Sequence, residues 1–312
     1  MKTAIFGRNG LVGSAVERIL KANLFSDIIG EPHWVRDLTD QHQVEEFFRN
    51  NLPDYVVLAA AKVGGIYANS TYSADFIYSN LEIQNNIIDA SYRYRVKRLI
   101  FLGSSCIYPR ECPQPIKEEY LLSGSLEETN KAYAVAKIAG ITMCRSYNKQ
   151  YGTNFISVMP CNLYGEGDNY DPMNSHVLPA LIHKLHIAKT NNEPILTLWG
   201  TGTPLREFLY SDDLALAILI LLKAENPSDL INIGSGDEIS IRDLAMLIKD
   251  VVGYSGEIKF DSIMPDGTPR KVLDSSIIRM YGWAPTVCLL DGLEKEYENY
   301  LKQDHEISNN NS

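Results

Sequence analysis

A tyrosine and a lysine four residues apart are the residues of this sequence with the clearest chemical potential. Tyr133 and Lys137 lie in the run Thr129–Lys137, which has the composition of a helix. Residues i and i+4 share one helix face, so both side chains would point into one site. A lysine ammonium beside a phenol lowers the tyrosine pKa, and such a tyrosine can exchange a proton with a carbonyl or hydroxyl near neutral pH. The spacing also fits a surface lysine beside a half-buried tyrosine.

A glycine-rich turn near the amino terminus predicts a dinucleotide site. Thr3–Phe6 has the pattern of a buried strand, Gly7-Arg-Asn-Gly10-Leu-Val-Gly13 follows, and Ala15–Lys21 is helical. Glycines at this spacing allow a tight turn, a close approach of the backbone to a pyrophosphate, and packing of the helix on the strand. The phosphates would lie at the helix amino end, where free N–H groups and the dipole favour an anion. The alternative is a plain glycine-rich turn.

The elements that would position these residues alternate between strand and helix. The first half predicts strand Ile28–Ile29, helix Gln41–Asn50, strand Tyr55–Leu58, helix Ala74–Arg95, strand Arg98–Leu102, the Tyr133 helix to Gln150, and strand Phe155–Met159. This order implies an α/β fold with a Rossmann-type doubly wound parallel sheet, whose ligands bind at the carboxyl ends of the strands. The run Asp37–Asp40 is placed to reach an adenosine, and it is equally a good helix N-cap.

The second half predicts a smaller carboxyl-terminal α/β lobe that binds the substrate. A helix to about Lys189, strand Ile195–Trp199, and helices Ile241–Val252 and Leu289–Tyr300 are expected, followed by a polar tail that frays. We expect residues 1–165 to form the cofactor domain, with 207–233 returning to it. Residues 166–206 and 234–312 would then form the substrate lobe.

Composition and charge narrow the class of protein. The 312 residues carry a formal charge of −10, which argues against nucleic acid or an anionic membrane as the main partner. The longest apolar run, Leu214–Leu222, is too short to span a bilayer, and no cleavable signal is visible. Five cysteines without a C-x-x-C pair predict a reducing cytoplasm and no zinc site.

Several motifs resemble a known family. The glycine turn, Ser104 four residues before Tyr108, and the Tyr133/Lys137 pair resemble the extended short-chain dehydrogenase/reductases. Within that group, five stretches resemble the GDP-L-fucose synthase family: Ala59–Ile66, Leu102–Pro109, Pro160–Gly165, Asn174–Pro179 and Pro265–Lys271. The resemblance covers essentially the whole chain apart from the polar tail.

The resemblance implies a two-phase reaction on a GDP-sugar. The family epimerises C3 and C5 of GDP-4-dehydro-6-deoxy-D-mannose and then reduces C4 with NADPH, giving GDP-L-fucose. Each inversion removes a proton from one face and returns one to the other, and Cys106 and His176 match that pair. In the reduction, Tyr133 would donate a proton to the forming alkoxide, and Ser104 would hydrogen-bond the same oxygen. Ser105 is the nearby alternative to Ser104. Lys137 would hold the cofactor ribose. Taken singly, Cys106 also fits a packing residue and His176 a structural hydrogen-bonding residue.

The same resemblance implies the binding residues. The cofactor set lies in six segments of the chain and comprises Gly7, Arg8, Asn9, Gly10, Leu11, Val12, Gly13, Asp37, Leu38, Leu102, Gly103, Ser104, Ser105, Lys137, Pro160, Cys161, Asn162, Leu163 and His176. The substrate set supplies cations for a diphosphate, an indole for stacking and a carboxylate for hydroxyls or guanine, from Lys184, Trp199, Arg206 and Asp266. Lys184 and Arg206 also fit a solvated helix face and a surface turn.

The choice between NADPH and NADH stays open in the sequence. Glu31, at the end of the second strand, would repel a 2′-phosphate and could accept the ribose hydroxyls of NADH. Arg8, His33 or Arg36 could still supply a positive charge there. The family implies NADPH, and this is the expectation we retain.

Two further functions and an assembly are also considered. A related GDP-4-keto-sugar reductase or epimerase, of the colitose or heptose type, fits the same motifs, and a non-enzymatic dinucleotide-binding protein fits the glycine turn alone. The helices near Ala74–Arg95 and Ala132–Gln150 carry more apolar residues than one sheet face needs, including Ile87, Ile88, Ile138, Ile141 and Met143. In the resembled family these helices pair across a two-fold axis, which implies a homodimer.

Overall fold

A six-stranded parallel sheet forms the centre of the structure. The computed structural model describes residues 1–30, 36–171, 175–264 and 266–310, with the backbone alone for Ile66 and residues 304–310. Every neighbouring pair in the sheet is parallel, in the order β2-β1-β3-β4-β5-β9. Its strands are β1 (Lys2–Phe6), β2 (Asp27–Ile29), β3 (Tyr55–Leu58), β4 (Arg98–Leu102), β5 (Phe155–Pro160) and β9 (Leu230–Ile233). The doubly wound sheet predicted from the sequence is confirmed.

Helices cover both faces of this sheet. They are α1 (Leu11–Ala22), α2 (Gln41–Asn51), α3 (Ile66–Thr71), α4 (Ser73–Arg93), α5 (Lys131–Tyr151) and α7 (Ser211–Lys223). Helix α4 packs against α5, and α1 packs against α7. Because both faces are covered, β4 and β5 are buried along their whole length, and their residues are apolar apart from Arg98 and Ser157.

The strand order creates a switch point between β1 and β3. The chain leaves β1 for β2 on one side and returns to β3 on the other. Loops after such neighbouring strands diverge and leave a crevice at the carboxyl ends, where ligands bind. The glycine turn follows β1 and Ala59–Ala60 follows β3, so both flank this crevice.

A second hydrophobic core surrounds smaller sheets. Its elements are β6 (Asn162–Tyr164), α6 (Val177–Thr190), β7 (Ile195–Trp199), β8 (Leu205–Tyr210), β10 (Glu238–Ser240), α8 (Ile241–Val252), β11 (Glu257–Asp261), β12 (Arg270–Lys271) and α10 (Leu289–Asn310). Strand β8 lies between β10 and β12 and also pairs with β6, while β7 pairs with β11. Helix α9 (Ser276–Met280) and its flanks return to the first core through Leu273, Ile278 and Trp283.

One predicted helix end is wrong, and the apolar residues noted on two other helices pack inside the chain. Helix α10 continues ten residues beyond the predicted end at Tyr300, to Asn310. The isoleucines counted as more than one sheet face needs (Ile87, Ile88, Ile138 and Ile141) are buried in the first core of the chain itself, and Met143 packs against that core. These residues contact the sheet and the neighbouring helix, because α4 and α5 bury a face against each other as well as against the strands.

Candidate active site

Tyr133 and Lys137 share one site on the first two turns of α5, as their spacing predicts. The side chain of Lys137 is buried, with 3% of the residue exposed. Its Nζ donates to the carbonyl of Leu102 at 2.7 Å and lies 5.8 Å from the centroid of the Tyr133 ring. Burial without a carboxylate partner lowers the pKa of Lys137 to about 7. The lysine therefore changes charge near neutral pH.

The pKa of Tyr133 moves in the direction opposite to the sequence prediction. Burial raises it, the nearby Cys106 raises it further, and a hydrogen bond with Ser104 lowers it. The ammonium of Lys137 points at the Leu102 carbonyl and lies over the face of the phenol ring, so it does not compensate the phenolate oxygen. Tyr133 is consequently a protonated phenol at neutral pH, which suits a proton donor.

The loop after β4 brings two more predicted residues to this point. Ser104 begins a 3₁₀ turn, Ser105–Ile107, and its Oγ accepts a hydrogen bond from the backbone N of Cys106 at 3.2 Å. Ser104 is half-buried, whereas Ser105 is buried. Because Ser104 is the serine that reaches Tyr133, the geometry favours it over Ser105 as the second hydroxyl of the site.

The sulfur of Cys106 is contacted by two residues that sequence reasoning missed. Asn130 Nδ2 lies 3.3 Å from Sγ, and Lys271 Nζ lies 3.5 Å from it. Asn130 immediately precedes α5, and Lys271 ends β12. Both residues stand inside runs that the sequence analysis singled out, but nothing in their local pattern connects them with a cysteine. The thiol is therefore an element of a polar cluster as well as a packing group.

His176 lies at the amino end of α6. Its backbone takes the N-cap position, with φ of −74° and ψ of 170°. The residue is exposed, yet surrounding protein atoms desolvate the imidazole enough to lower its pKa. A neutral imidazole can accept or donate a proton near neutral pH. Among the described residues no hydrogen bond joins His176 to Cys106, so their facing arrangement across a substrate stays a prediction.

The glycine turn forms a cradle at the switch point. Gly7 has φ of 87°, and a Cβ there would lie 2.7 Å from the backbone N of Ala60. A Cβ on Gly13 would lie 2.1 Å from the carbonyl oxygen of Gly7. Gly10 is the N-cap of α1 and supplies no side-chain oxygen, so no cap side chain competes for the first-turn N–H groups. This backbone fits a pyrophosphate, because a ligand can approach main-chain donors directly.

Cations near the adenosine end of the crevice already have carboxylate neighbours. Arg8 ion-pairs with Glu17, whose pKa falls to about 2, and donates to the carbonyl of Gly30 at 3.3 Å. Arg36 donates to the carbonyl of Gln43 and lies 3.8 Å from Glu46. A 2′-phosphate that used either arginine would share it with these acceptors. Glu31 and His33, the other candidates, lie outside the described residues.

The predicted adenosine loop is mainly a capping structure. Asp40 is the N-cap of α2 and accepts from the backbone N of His42 at 2.8 Å. Asp37 is exposed and accepts from Thr39 N at 2.9 Å, while the carbonyl of Leu38 accepts from Asn86 Nδ2 at 3.1 Å. The capping interpretation holds for Asp40, and the backbone at residues 37–38 is fixed beside the crevice. Elsewhere in the cofactor set, Asn9 is exposed and Leu11 and Val12 are half-buried at the start of α1.

The chain that follows β5 is held by backbone hydrogen bonds and by contacts with the buried residue Glu207. Pro160 ends the strand, buried Cys161 donates its N–H to the carbonyl of Ile233 at 3.0 Å, and Gly103 on the neighbouring loop donates to Val158 at 2.8 Å. Asn162 Nδ2 donates to the carbonyl of Glu207 at 2.9 Å, and Leu163 is half-buried in β6. The carboxylate of Glu207 accepts from Gly236 N at 2.6 Å and Leu273 N at 3.1 Å, and burial raises its pKa to about 7. Sequence reasoning missed Glu207, which joins β8, the loop after β9 and the end of β12.

The four predicted substrate residues fall into two pairs. Lys184 Nζ lies 5.8 Å from the ring centroid of Trp199, and this indole is 71% exposed. Burial lowers the pKa of Arg206, while Asp266 and Cys106 act in the opposite direction because both lie close to its guanidinium. Asp266 accepts from Thr201 N at 2.9 Å and Thr201 Oγ1 at 2.6 Å. Arg206 and Asp266 thus connect the Cys106 cluster with the Gly200–Pro204 turn.

Two classes of site are absent from the described part of the chain. No group of three or more histidine, cysteine, aspartate or glutamate residues there could hold a metal ion. None of the helices in residues 1–30, 36–171, 175–264 and 266–310 combines the length and apolar character needed to cross a membrane.

Comparisons with known proteins agree with this geometry. Residues 3–234 match the NAD dependent epimerase/dehydratase family. GDP-L-fucose synthase 1 of Arabidopsis thaliana is 54% identical over 301 residues, covering 96% of this chain and 93% of the relative. A solved GDP-L-fucose synthetase from Naegleria fowleri bound to NADP has a TM-score of 0.91 and 30% identity over 97% of this chain and 93% of its own.

A third similar protein acts on a related sugar. The GDP-mannoheptose C4 reductase from Campylobacter jejuni, solved with NADP bound, has a TM-score of 0.88 and 40% identity, covering 96% of this chain and 98% of its own. The family predicted from the motifs is confirmed by these matches. The chain belongs to the NAD dependent epimerase/dehydratase family and, within it, to the group of GDP-L-fucose synthases.

Proposed function

We propose that this protein converts GDP-4-dehydro-6-deoxy-D-mannose to GDP-L-fucose by epimerising C3 and C5 and then reducing C4 with NADPH. The observation that carries the proposal is the cluster at the end of β4, where Cys106 lies beside the Ser104–Tyr133 pair. A reductase without epimerase activity needs only the Ser104–Tyr133 pair. A thiol in the same cluster adds a group that can remove a proton from a carbon next to the C4 ketone.

Epimerisation needs one acid/base group on each face of the sugar. Cys106 takes the proton from one face and His176 returns a proton to the other, which inverts the carbon. The C4 carbonyl accepts the electron pair as an enolate, and the hydroxyls of Ser104 and Tyr133 are the neutral donors that stabilise the oxygen. Arg206, close to Cys106, adds positive charge to the same region.

Reduction uses the other members of the cluster. NADPH, when bound, supplies the hydride for C4. Tyr133 donates its phenolic proton to the C4 oxygen as the negative charge develops, and Ser104 hydrogen-bonds that oxygen. Lys137, fixed by the carbonyl of Leu102, would donate to the ribose of the bound cofactor. After Tyr133 has given its proton to the C4 oxygen, solvent returns a proton to the phenolate. The glycine turn binds the pyrophosphate with backbone N–H groups.

The substrate diphosphate and base are assigned to the second core. Lys184 and Arg206 supply cations for the diphosphate, exposed Trp199 offers a stacking surface, and Asp266 fixes the turn that carries Thr201. With this assignment residues 1–165 and 207–233 bind the cofactor, and 166–206 and 234–312 bind the GDP-sugar. The helix α9 region belongs to the second range by sequence but packs on the first core.

A related reductase activity is the second candidate. The similarity to the Campylobacter jejuni GDP-mannoheptose C4 reductase favours it, because that protein shares the fold over nearly the whole chain. A heptose carries a substituent at C6 that a 6-deoxy sugar lacks, so the two activities differ in substrate and need not differ in the catalytic cluster.

One assay distinguishes these activities. The protein is incubated in heavy water with GDP-4-dehydro-6-deoxy-D-mannose and either NADPH or NADH, and the product is identified by NMR. We expect GDP-L-fucose with deuterium at C3 and C5, and faster oxidation of NADPH than of NADH. A product reduced at C4 with unchanged C3 and C5, or turnover only with a GDP-heptose, would replace the proposal with the second candidate.

We also propose a homodimer in the cytoplasm. Helices α4 and α5 lie side by side and present Tyr78 and Val135, which are 65% and 40% exposed. All five cysteines carry free thiols, which supports a reducing compartment. Light scattering at micromolar concentration tests the assembly, and a monomeric mass would contradict it. Tyr78→Lys is the variant that should dissociate the dimer without touching the catalytic cluster.

A further inference from the structure

Three separate segments of the chain meet at the sulfur of Cys106. The cysteine belongs to the turn after β4, Asn130 to the residue before α5, and Lys271 to the end of β12. Nitrogen atoms of both partners lie within contact of Sγ, at 3.3 Å for Asn130 Nδ2 and 3.5 Å for Lys271 Nζ. A cysteine that only fills space needs neither donor, because a thiol packs well among apolar side chains.

We infer that Lys271 and Asn130 are positioning residues that hold Cys106 ready to act as the base in proton exchange. N–H groups on two sides of the sulfur stabilise its lone pairs and leave the remaining direction for the proton that it exchanges with carbon. When the sulfur carries negative charge, the ammonium of Lys271 compensates that charge at contact distance. This inference rests on the proposed function only for the identity of the carbon acid.

The charges around the sulfur indicate that Lys271, and not a neighbouring residue, compensates negative charge on Cys106. Among the described residues, Tyr133, Arg206 and Lys271 are titratable or charged groups close to Cys106. The phenol of Tyr133 is neutral near pH 7, and Arg206 Nη1 already donates to the carbonyl of Leu205 at 2.8 Å. Lys271 is the cation with a nitrogen in contact with Sγ among the described residues. Its charge also acts on Cys112, whose pKa is raised by burial and lowered by Lys271.

Asn130 adds a second, independent feature. Its Oδ1 is buried and has no hydrogen-bond partner among the described residues, although its Nδ2 donates to the sulfur. A buried amide oxygen without a donor is unfavourable, and a hydroxyl of a bound sugar would satisfy it. Asn130 therefore links the position of the thiol to the presence of a polyhydroxylated ligand.

The experiment measures the thiol directly and needs no substrate. The protein is treated with iodoacetamide at pH 7, and alkylation of the Cys106 peptide is followed by mass spectrometry, with exposed Cys288 as the internal reference. We expect Lys271→Met to slow alkylation of Cys106 about tenfold, because the ammonium 3.5 Å from the sulfur no longer compensates the negative charge of the attacking sulfur. Lys271→Arg should restore most of the rate, and Asn130→Ala should slow it about threefold.

Controls separate positioning from loss of structure. Lys131→Met removes a lysine that pairs with Glu128 at 3.2 Å and leaves the sulfur untouched, so it should alkylate like the wild type. NADPH binding by fluorescence should be equal in all variants that fold. If Lys271→Met alkylates Cys106 at the wild-type rate, or if Cys288 slows to the same degree, the positioning role is wrong.

A second readout tests the consequence for the reaction. Deuterium incorporation at C3 and C5 should fall in Lys271→Met through kcat, with little change in KM, and Lys271→Arg should recover it. A rise in KM with unchanged kcat would instead make Lys271 a substrate-binding residue and overturn the inference. The wild type and all variants could fail to exchange deuterium while Cys106 is still alkylated at the expected relative rates. In that case the proposed substrate is wrong and the positioning role stands.

Discussion

Tyr133 and Lys137 come from one helix, whereas the groups around Cys106 come from separate segments of the chain. We call Ser104, Tyr133 and Lys137 the reducing side of the site, and Cys106, Asn130, His176 and Lys271 the exchange side. On the reducing side two members are fixed by helix geometry alone. On the exchange side every distance depends on how β4, α5, α6 and β12 pack together.

The two sides also differ in their electrostatics. On the reducing side Lys137 is buried and Ser104 and Tyr133 are half-buried. Desolvation raises the pKa of Tyr133 and lowers that of Lys137 to about 7, so both groups favour their neutral forms. On the exchange side, N–H donors and a cation surround the sulfur of Cys106. A neutral acid suits a proton donated once to an alkoxide, while a compensated sulfur suits a proton that is removed and returned. The comparison therefore predicts that each side can be disabled separately.

Removal of the phenolic proton should give the largest effect. Tyr133→Phe is expected to lower the rate of NADPH oxidation by about 10²–10⁴-fold, because it deletes the acid that protonates the C4 oxygen. Cofactor binding should remain close to wild type, and much of the deuterium exchange at C3 and C5 should persist, because Ser104 still donates to the enolate oxygen. Near-normal NADPH oxidation at saturating substrate would remove Tyr133 from the role of proton donor.

Loss of the thiol should have the reverse pattern. Cys106→Ser is expected to lower deuterium exchange by about 10²-fold, because a serine hydroxyl is far less acidic than a thiol of ordinary pKa about 8.5. Slow C4 reduction should persist and release a sugar with unaltered C3 and C5. His176→Gln should impair exchange too, by removing the second acid/base group. Exchange by Cys106→Ser at the wild-type rate would make the cysteine a packing residue.

The glycine turn is expected to bind the cofactor used on the reducing side. Substitutions at Gly13 and Gly10 test this expectation. A Cβ on Gly13 meets the carbonyl oxygen of Gly7 at 2.1 Å, whereas a Cβ on Gly10 meets the same atom at 3.5 Å, an ordinary contact. Gly13→Ala should weaken NADPH binding about tenfold or more through the displaced turn, and Gly10→Ala should change it little. Exchange without cofactor should survive in both variants. Equal affinities for NADPH would show that the turn does not hold the cofactor.

Lys137→Met should give the smallest effect, a change in how the free energy of unfolding depends on pH. The pKa of Lys137 is about 7 in the folded protein against an ordinary value of 10.5. Between pH 7 and pH 10.5 the lysine is protonated in the unfolded chain and neutral in the folded protein. The contribution of Lys137 to the free energy of unfolding therefore rises with pH and is smallest below pH 7. From pH 6.5 to 8.5 the wild type should gain about 1–2 kcal/mol over Lys137→Met in urea unfolding. Lys131→Met is the matched control, and it should show the same rise as the wild type.

Much of the fold and half of the candidate site follow from local sequence. Each central strand is a short apolar run and each helix an amphipathic one, so their order predicted the parallel sheet. The glycine turn and the Tyr133/Lys137 spacing are also local, since they depend only on neighbours within a turn of helix or a tight loop. The motif resemblance then selected Cys106 and His176, which no periodicity could single out.

Only the tertiary structure decided the environments of these residues. Burial reversed the predicted pKa shift of Tyr133, and the packing of α4 on α5 placed Ile87 and Ile141 inside the chain. The sequence by itself determined which groups are available and which strand ends carry them. Contacts between residues far apart in the chain, such as Lys271 with Cys106 at a separation of 165 positions, determined their charge state and partners. These contacts depend on three-dimensional packing, because desolvation and Coulomb interactions act over distances in space and not along the sequence.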